Sequence, residues 1–420
     1  MTAHVMCLTS SGGIPIFARK KGEGDMMTFS KMASLNGVHM FLKSQNMELL
    51  NTNMPDTTVV WKEYEECITL IAIASGTTKR VLNQFLDAVF SAMILVVGID
   101  DIKNPRNVER LKRDLRICNP IIDRLLECLD VGDRISTKTD LVDLTESIMC
   151  PENHLLQACL EAYVECLDSM YGCILIHGSL SVATESWWCL DPVERKLLTI
   201  AATTEDSCTA RDLPVFLPNK SPNVAFRLVS VTLVNHIEVL SLCGPTPELS
   251  EVERLAIQCW RSSIDILRAA EQSYTKNFPF NISLDSGILG FLLVNYRIGK
   301  FVLSRNPQNT KNRVTGTHRL DILRTFYHQA VETFLLSEDI EECQTDSTET
   351  PKRLNQQENG QKFEGAKETY WCSEYHKCHA VKEGDQVFCV LYSATVPTHT
   401  MRLITHKTLK TLLADKQLCW

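Results

Sequence analysis

The chain has 420 residues, of which 44% are hydrophobic and 22% charged, with a formal net charge of −8. That length exceeds one ordinary core and predicts two or three domains. A net acidic chain lacks the basic surface that general nucleic-acid binding needs to neutralise phosphates, so only a local basic patch stays open.

Taken from its start, MTAHVMCLTSSGG carries neither the charged and apolar regions of a signal peptide nor the second-position glycine of a myristoylation site. His4–Thr9 and Ile14–Arg19 read as strands flanking Gly12-Gly13, a hairpin signal. Phe29–Ser44 carries Met32, Leu35, Met40 and Phe41 at rough helical spacing, interrupted at Asn36-Gly37, and a further strand is expected around Met47–Leu50. From Thr57 to Gly98 the chain runs as a strand, a turn at Glu65-Glu66, an inner strand Cys67–Ala74 apolar on both faces, a Gly-Thr-Thr break and a long helix. Val81, Phe85, Val89 and Met93 lie four apart and stack on one side of that helix. Arg106–Cys128 continues as helix, with Val108, Leu111, Leu115, Ile122 and Leu125 on one face and a bend or break at Pro120. Residues 1–130 therefore predict β-β-α-β-β-α-α, one α/β domain of antiparallel hairpins, and residues 131–152 a polar linker.

The order recurs twice. In residues 153–280 a helix over Leu155–Leu167 leads into strands Cys173–Ile176 and Val182–Trp188, then a helix over Pro192–Thr199 and a strand over Leu213–Leu217. Phe226–Val234 and Ile237–Cys243 form a hairpin about Asn235-His236. Ser250-Glu251-Val252-Glu253 has the form of a capping box, opening a helix with Ala256, Trp260, Ile264 and Leu267 inward. Residues 281–420 hold strands in GILGFLLVNY and GKFVLSRN, a helix over Leu320–Leu336, a hairpin of Tyr370–Val381 with Val387–Thr395, and a closing helix opened by Pro397. Within this copy residues 337–366 have too little apolar surface to offset their ordering entropy, which predicts a disordered insert. The repeat spacing of about 140–170 residues is domain-sized. The expected fold class is α/β (α+β): three tandem domains, each an antiparallel sheet flanked by helices. The longest apolar runs, near Ala88–Ile99 and Gly287–Val294, fall short of the roughly 18–20 residues that span a bilayer. The 17 cysteines are scattered, mostly among apolar neighbours as at Cys173, Cys189, Cys243 and Cys389, and read as reduced, buried small hydrophobes of a cytoplasmic protein.

Catalytic motifs are mostly missing. Gly299-Lys300 lacks the first glycine and the Ser/Thr of a phosphate-binding P-loop. No Gly-x-Ser-x-Gly elbow occurs, and His236-x-Glu238 lacks the Pro-Cys-x-x-Cys of a deaminase. His177-Gly178-Ser179 sits in a hairpin turn, where turn chemistry explains it more simply than nucleophilic catalysis. Cys372, His376, Cys378 and His379 are the best metal candidates, yet on one strand Cys372 and Cys378 lie about 20 Å apart, far outside a zinc shell. No metal, cofactor or catalytic residue is expected. Arg106, Arg110, Lys112, Arg113 and Arg116 make one locally basic helix, either a solvated face or a contact for an acidic partner or anionic membrane. Trp61 and the pair Trp187-Trp188 are core or interface anchors, and on a strand at most one of the pair enters the same core. Asn36-Gly37 marks a frayed point or a place where another backbone comes close.

Six strings carry a resemblance: SLNGVHMF (Ser34–Phe41), TTVVWK (Thr57–Lys62), RNVERLKRDLR (Arg106–Arg116), ATESWW (Ala183–Trp188), ARDLPVFLP (Ala210–Pro218) and SLCGPTPELS (Ser241–Ser250). Spread in order over roughly residues 1–270, they resemble the triple-longin planar-cell-polarity effectors, relatives of the subunits of heterodimeric Rab exchange factors. The longin order β-β-α-β-β-β-α-α agrees with the first domain as read from its pattern. The resemblance implies an Inturned-like triple-longin partner, a Fritz-like WD-repeat partner and a Rab-like small GTPase as client. It also implies action at the basal body, in cilium biogenesis and in Hedgehog signalling. In the related exchange factors the first longin domains of two subunits pair and offer a composite surface to the GTPase switch regions, favouring the nucleotide-free form by differential binding alone. On that reading the partner and GTPase interface comprises Leu35, Asn36, Val38, His39 and Phe41 on the first helix and Trp61 on the adjoining strand. The alternative is a longin-type membrane-traffic adaptor without exchange activity, with Arg106–Arg116 as its membrane face.

Overall fold

The computed structural model describes residues 2–104, 107–129, 140–204, 209–273, 277, 282–305, 313–331, 335 and 366–414. All but the last residue of the expected insert 337–366 lies outside them. The first unit contains β1 (Thr2–Thr9), β2 (Pro15–Gly22), α1 (Phe29–Ser44), β3 (Asn51–Asn53), β4 (Thr58–Tyr64), β5 (Ile68–Ala74), α2 (Lys79–Val97), α3 (Ile99–Lys103), α4 (Val108–Asp114) and α5 (Asn119–Glu127). The strands pair antiparallel in the order β2-β1-β5-β4-β3. The helix expected to bend at Pro120 does break there: Leu115–Cys118 tightens into a 3-10 turn, and Pro120 sits in the first turn of α5, where its missing N–H costs nothing.

A short strand, β6 (Thr145–Glu146), precedes the second unit. That unit comprises α6 (Asn153–Cys166), β7 (Tyr171–Ile176), β8 (Ser179–Ala183), α7 (Glu185–Trp188), α8 (Pro192–Thr203), β9 (Ala210–Leu217), β10 (Ser221–Val234), β11 (Ile237–Cys243), α9 (Leu249–Trp260) and α10 (Ile264–Ser273). The third has β12 (Ile288–Asn295), β13 (Lys300–Arg305), α11 (Arg313–Ala330), β14 (Glu368–Cys372), β15 (His376–Glu383), β16 (Gln386–Ser393) and α12 (Thr398–Ala414). Their sheets run β8-β7-β11-β10-β9 and β14-β15-β16-β12-β13-β6. Stripped of β6, each sheet has the connectivity of the first.

The packing explains why α2 is apolar nearly all round. One side covers β4 and β5; the other meets β9 and α8 of the second unit, so the two units share one hydrophobic core. Phe85, Val89 and Met93 are fully buried in it. Thr78 caps the start of α2 by accepting from the Val81 N–H at 3.3 Å, and Gly98 ends it with φ of 78°. By length and composition α2 does qualify as a bilayer-spanning helix, contrary to the sequence expectation; two protein faces occupy its surface instead.

Several other expectations change. Asp140–Cys150 belongs to the stretch read as polar linker, yet almost every residue in it is buried. It is a strap: the Ser147 N–H donates to the Phe301 carbonyl at 2.7 Å and the Ile148 N–H to the Leu180 carbonyl at 2.8 Å, joining the exposed edges of the second and third sheets. Leu141 and Leu144 enter the third core, and Ile148 and Cys150 the second. Trp187 and Trp188 lie on a one-turn helix capped by Thr184, so strand alternation does not govern them; Trp187 is buried and Trp188 partly so. The Ser250 capping box does not form, because α9 starts two residues earlier, after Glu248. The extra strand is Asn51–Asn53 rather than Met47–Leu50, and Tyr370–Thr395 resolves into three strands. Cys189 is exposed, while Cys173, Cys243 and Cys389 are buried.

Candidate functional site

Among the described residues α1 is the one helix on the face of the first sheet opposite α2, over a small cluster of Met6, Leu8, Val59, Trp61 and Ile71. Its N-terminus is capped by Thr28, and the helix runs unbroken through Asn36-Gly37. The residues it buries are Met32, Asn36 and His39, spaced four and three apart as one helical face requires. Trp61 is 4% exposed and donates its indole N–H to the Leu35 carbonyl at 3.3 Å. Asn36 packs against the β1–β2 turn, where Gly13 has φ of 62° and a Cβ would lie 2.3 Å from the Asn36 amide nitrogen. So a backbone does come close at this pair, to Asn36 and from within the same domain; Gly37 faces open space.

Burial, only partly offset by Glu63, holds the His39 imidazole below its ordinary pKa and so neutral. Glu63 is bonded to Lys43 at 2.6 Å. Burial pushes that carboxyl up, but the Lys43 ammonium outweighs it and holds Glu63 below the usual range. Outward, the helix presents Val38, Met40 and Phe41, the last 64% exposed. The first residue of the helix, Phe29, is exposed too, and flanking segments add Met26, Met47, Leu50 and Met54. Of the residues expected at the interface, Val38 and Phe41 thus reach solvent, Leu35 is partly covered, and Asn36, His39 and Trp61 face inward. These three seat the helix rather than form its outer surface. Sequence reasoning missed the flanking set, although apolar side chains punctuating polar loop sequence were the available signal.

The basic segment lies on another side of this domain. Arg106 is outside the described residues. Arg110, Arg113 and Arg116 are exposed and Lys112 is partly buried; Asp114 pairs with Arg110 at 3.4 Å and Arg113 at 3.7 Å. Ile117, beside Arg116, is 68% exposed. At the His177 turn the side chains serve different partners: Ser179 donates to Glu146 at 3.0 Å, while the His177 ring lies 3.5 Å from Glu271 and against His236. The hairpin of β14 and β15 sets Cys372 opposite Lys377 and Cys378 opposite Trp371. Among the described residues no group of three His, Cys, Asp or Glu side chains is placed to hold a metal.

Three family models match in order: "First Longin domain of FUZ, MON1 and HPS1" over residues 3–125, and the corresponding second and third longin domains over 167–261 and 287–416. Across nearly its whole length the chain is 35% identical to the protein fuzzy homolog of Xenopus tropicalis, covering 99% of this chain and 98% of that one. The chain belongs to the Fuzzy family. The human fuzzy homolog is 36% identical, over 78% of each chain, and the mouse homolog 32% identical over 97% of each. The fold is that of a Fuzzy-family protein, three longin domains with antiparallel sheets between helices, as the sequence strings implied. Family membership supports a Fuzzy-type longin scaffold or effector and suggests a non-catalytic one. Both the α1 surface and the basic segment fall inside the first longin match.

Proposed function

We propose that this Fuzzy-family chain is a binding subunit without catalytic residues of its own. It pairs with an Inturned-like triple-longin subunit and holds a Rab-like small GTPase, with a Fritz-like WD-repeat subunit completing the complex. Cilium biogenesis at the basal body, planar cell polarity and Hedgehog signalling are its setting on this reading. The observation that carries it is the exposed apolar set of α1 and the segment after it: Phe29, Val38, Met40 and Phe41 on the helix and Met47, Leu50 and Met54 beyond it are all at least 41% exposed. Water disfavours so many exposed apolar side chains, and a surface rich in them suits a protein contact. A partner covering it gains burial energy, and a GTPase bound there is shifted toward whichever nucleotide state fits better. That is half of an exchange factor, or a recruitment platform if the loaded state fits better.

Nucleotide-release kinetics on Rab-like GTPases decide between these, using the chain alone, an Inturned-like partner alone and the complex. Acceleration by the complex, lost on Phe41→Asp, supports exchange; binding of the GTP form without acceleration supports recruitment. Failure of the complex to bind any such GTPase overturns the reading.

The adaptor reading rests on Ile117 beside Arg113 and Arg116, an apolar tip among cations, which suits an anionic membrane surface. Flotation with phosphatidylserine vesicles tests it: Arg113→Glu with Arg116→Glu abolishes association if this face docks on membrane.

A further inference from the structure

We infer that Cys166 and Cys259 form a reversible oxidation site, closing to a disulfide between the end of α6 and the last turn of α9. The two cysteines are 93 residues apart in the chain, yet the Cys259 thiol donates to Cys166 Sγ across 3.9 Å. A disulfide bond is about 2.05 Å long, so each sulfur needs to move by about 1 Å. The helices are already locked at this level. Tyr163 and Trp260 meet edge to face with ring centroids 6.2 Å apart, and Leu160, Val252 and Ala256 are buried in the same core. The backbone thus holds the thiols together before any bond forms. Among the described residues, other thiols are buried, as at Cys7, Cys118 and Cys173, partly buried, as at Cys67 and Cys159, or exposed, as at Cys189 and Cys372.

The two members are unequal. Cys166 is exposed and meets an oxidant first; Cys259 is partly buried. Burial and the neighbouring Cys166 raise the Cys259 pKa, which keeps it protonated and donating. With a peroxide as oxidant, Cys166 sulfur attacks one peroxide oxygen, the O–O bond breaks, and a sulfenic acid and water result. Cys259 sulfur then attacks Cys166 Sγ, the S–O bond breaks, and the departing hydroxide takes the Cys259 proton as a second water. Two sulfurs lose two electrons in all and the peroxide gains them. A small thiol reverses the bond in two exchanges, the first giving a mixed disulfide and a second thiol releasing the cysteine as the reductant's own disulfide forms.

Glu161, Val164 and Glu165 of α6, the helix that ends at Cys166, line a cleft of about 420 Å³ together with Asp168, Met170 and Glu185, so the cross-link ties down the helix that supplies one wall. Oxidation therefore acts on the shape of the second domain's surface, independently of the α1 face.

The experiment treats the full chain with hydrogen peroxide and maps its peptides without reduction. The expected product joins the Cys166 and Cys259 peptides, lighter by two hydrogen atoms, and dithiothreitol separates them. In Cys259→Ser, Cys166 has no resolving thiol, so labelling of its sulfenic acid by dimedone rises several-fold over wild type. In Cys166→Ser, Cys259 stays reduced. Absence of the linked peptide, or equal dimedone labelling in wild type and Cys259→Ser, overturns the proposal.

Discussion

The indole N–H of Trp61 on β4 reaches the main-chain carbonyl of Leu35 on α1 at 3.3 Å. A single side chain thereby fastens the middle of a helix that has only a small cluster beneath it. Trp61→Ala removes both this bond and a large buried ring, and the expected loss is about 3–5 kcal/mol. Trp61→Phe keeps most of the packing and costs about 1 kcal/mol for the bond. Chemical denaturation of the purified chain separates the two; equal losses would remove the packing role.

Phe41 sits on the same helix but faces outward. Phe41→Asp and Val38→Asp should change folding stability by no more than about 0.5 kcal/mol, as exposed positions do. Binding should fall by at least about 2 kcal/mol, roughly thirtyfold, if they lie at the centre of the contact. Calorimetry or pull-down with an Inturned-like subunit reads the second number and thermal melting the first. Wild-type affinity in both variants would move the interface elsewhere.

The contrast between Trp61 and Phe41 shows what the sequence made legible and what it hid. Strong periodic signals read correctly: α2 has apolar residues every fourth position between a Thr cap and a glycine stop, and the hairpin-and-helix order repeats three times. On α1 the pattern is inverted, with polar Asn36 and His39 inside and apolar Val38 and Phe41 outside. Hydrophobicity therefore could not orient the helix, and that inversion is itself what a binding face looks like. The strap was illegible for another reason. Asp140, Asp143, Thr145, Glu146 and Ser147 have the composition of a linker, and their environment depends on segments distant in sequence, as where Thr145 pairs with Lys300 and Asp140 bonds Lys196. Trp187 misled because a one-turn helix is too short to show a period.

The join between the first two domains is tight at Gly98. With φ of 78°, a Cβ there would sit 3.1 Å from the Phe216 ring. Gly98→Ala combines left-handed strain of roughly 1–2 kcal/mol with displacement of that ring from the end of α2. The expected outcome is a lowered melting temperature and greater amide exchange in both α2 and β9. Destabilisation confined to α2 would mean the shared core does not couple the two domains.

Asp140 tests the strap. Its carboxylate bonds Lys196 on α8 and Arg124 on α5, the latter at 3.0 Å, with all but 6% of the Asp140 side chain buried. Burial alone would raise its pKa, but Lys196 and then Arg124 outweigh burial and hold it below the ordinary carboxylate value. Asp140→Asn strands the buried Lys196 charge, and removing one partner of such a pair costs about 3–5 kcal/mol. A charge-free pair, Asp140→Leu with Lys196→Met, should recover most of that loss, since the desolvation of both ions disappears with them. Because the folded carboxyl titrates below the unfolded one at about 3.9, the unfolded chain binds the extra proton as pH falls. The stabilisation is therefore complete above about pH 5 and declines as pH drops through 3.9 toward the folded value. Urea melts from pH 6 to pH 3 should show wild type losing its advantage over Asp140→Asn at the acid end. A difference that stays constant over that range would show that the carboxylate charge does not hold the strap between the first two domains.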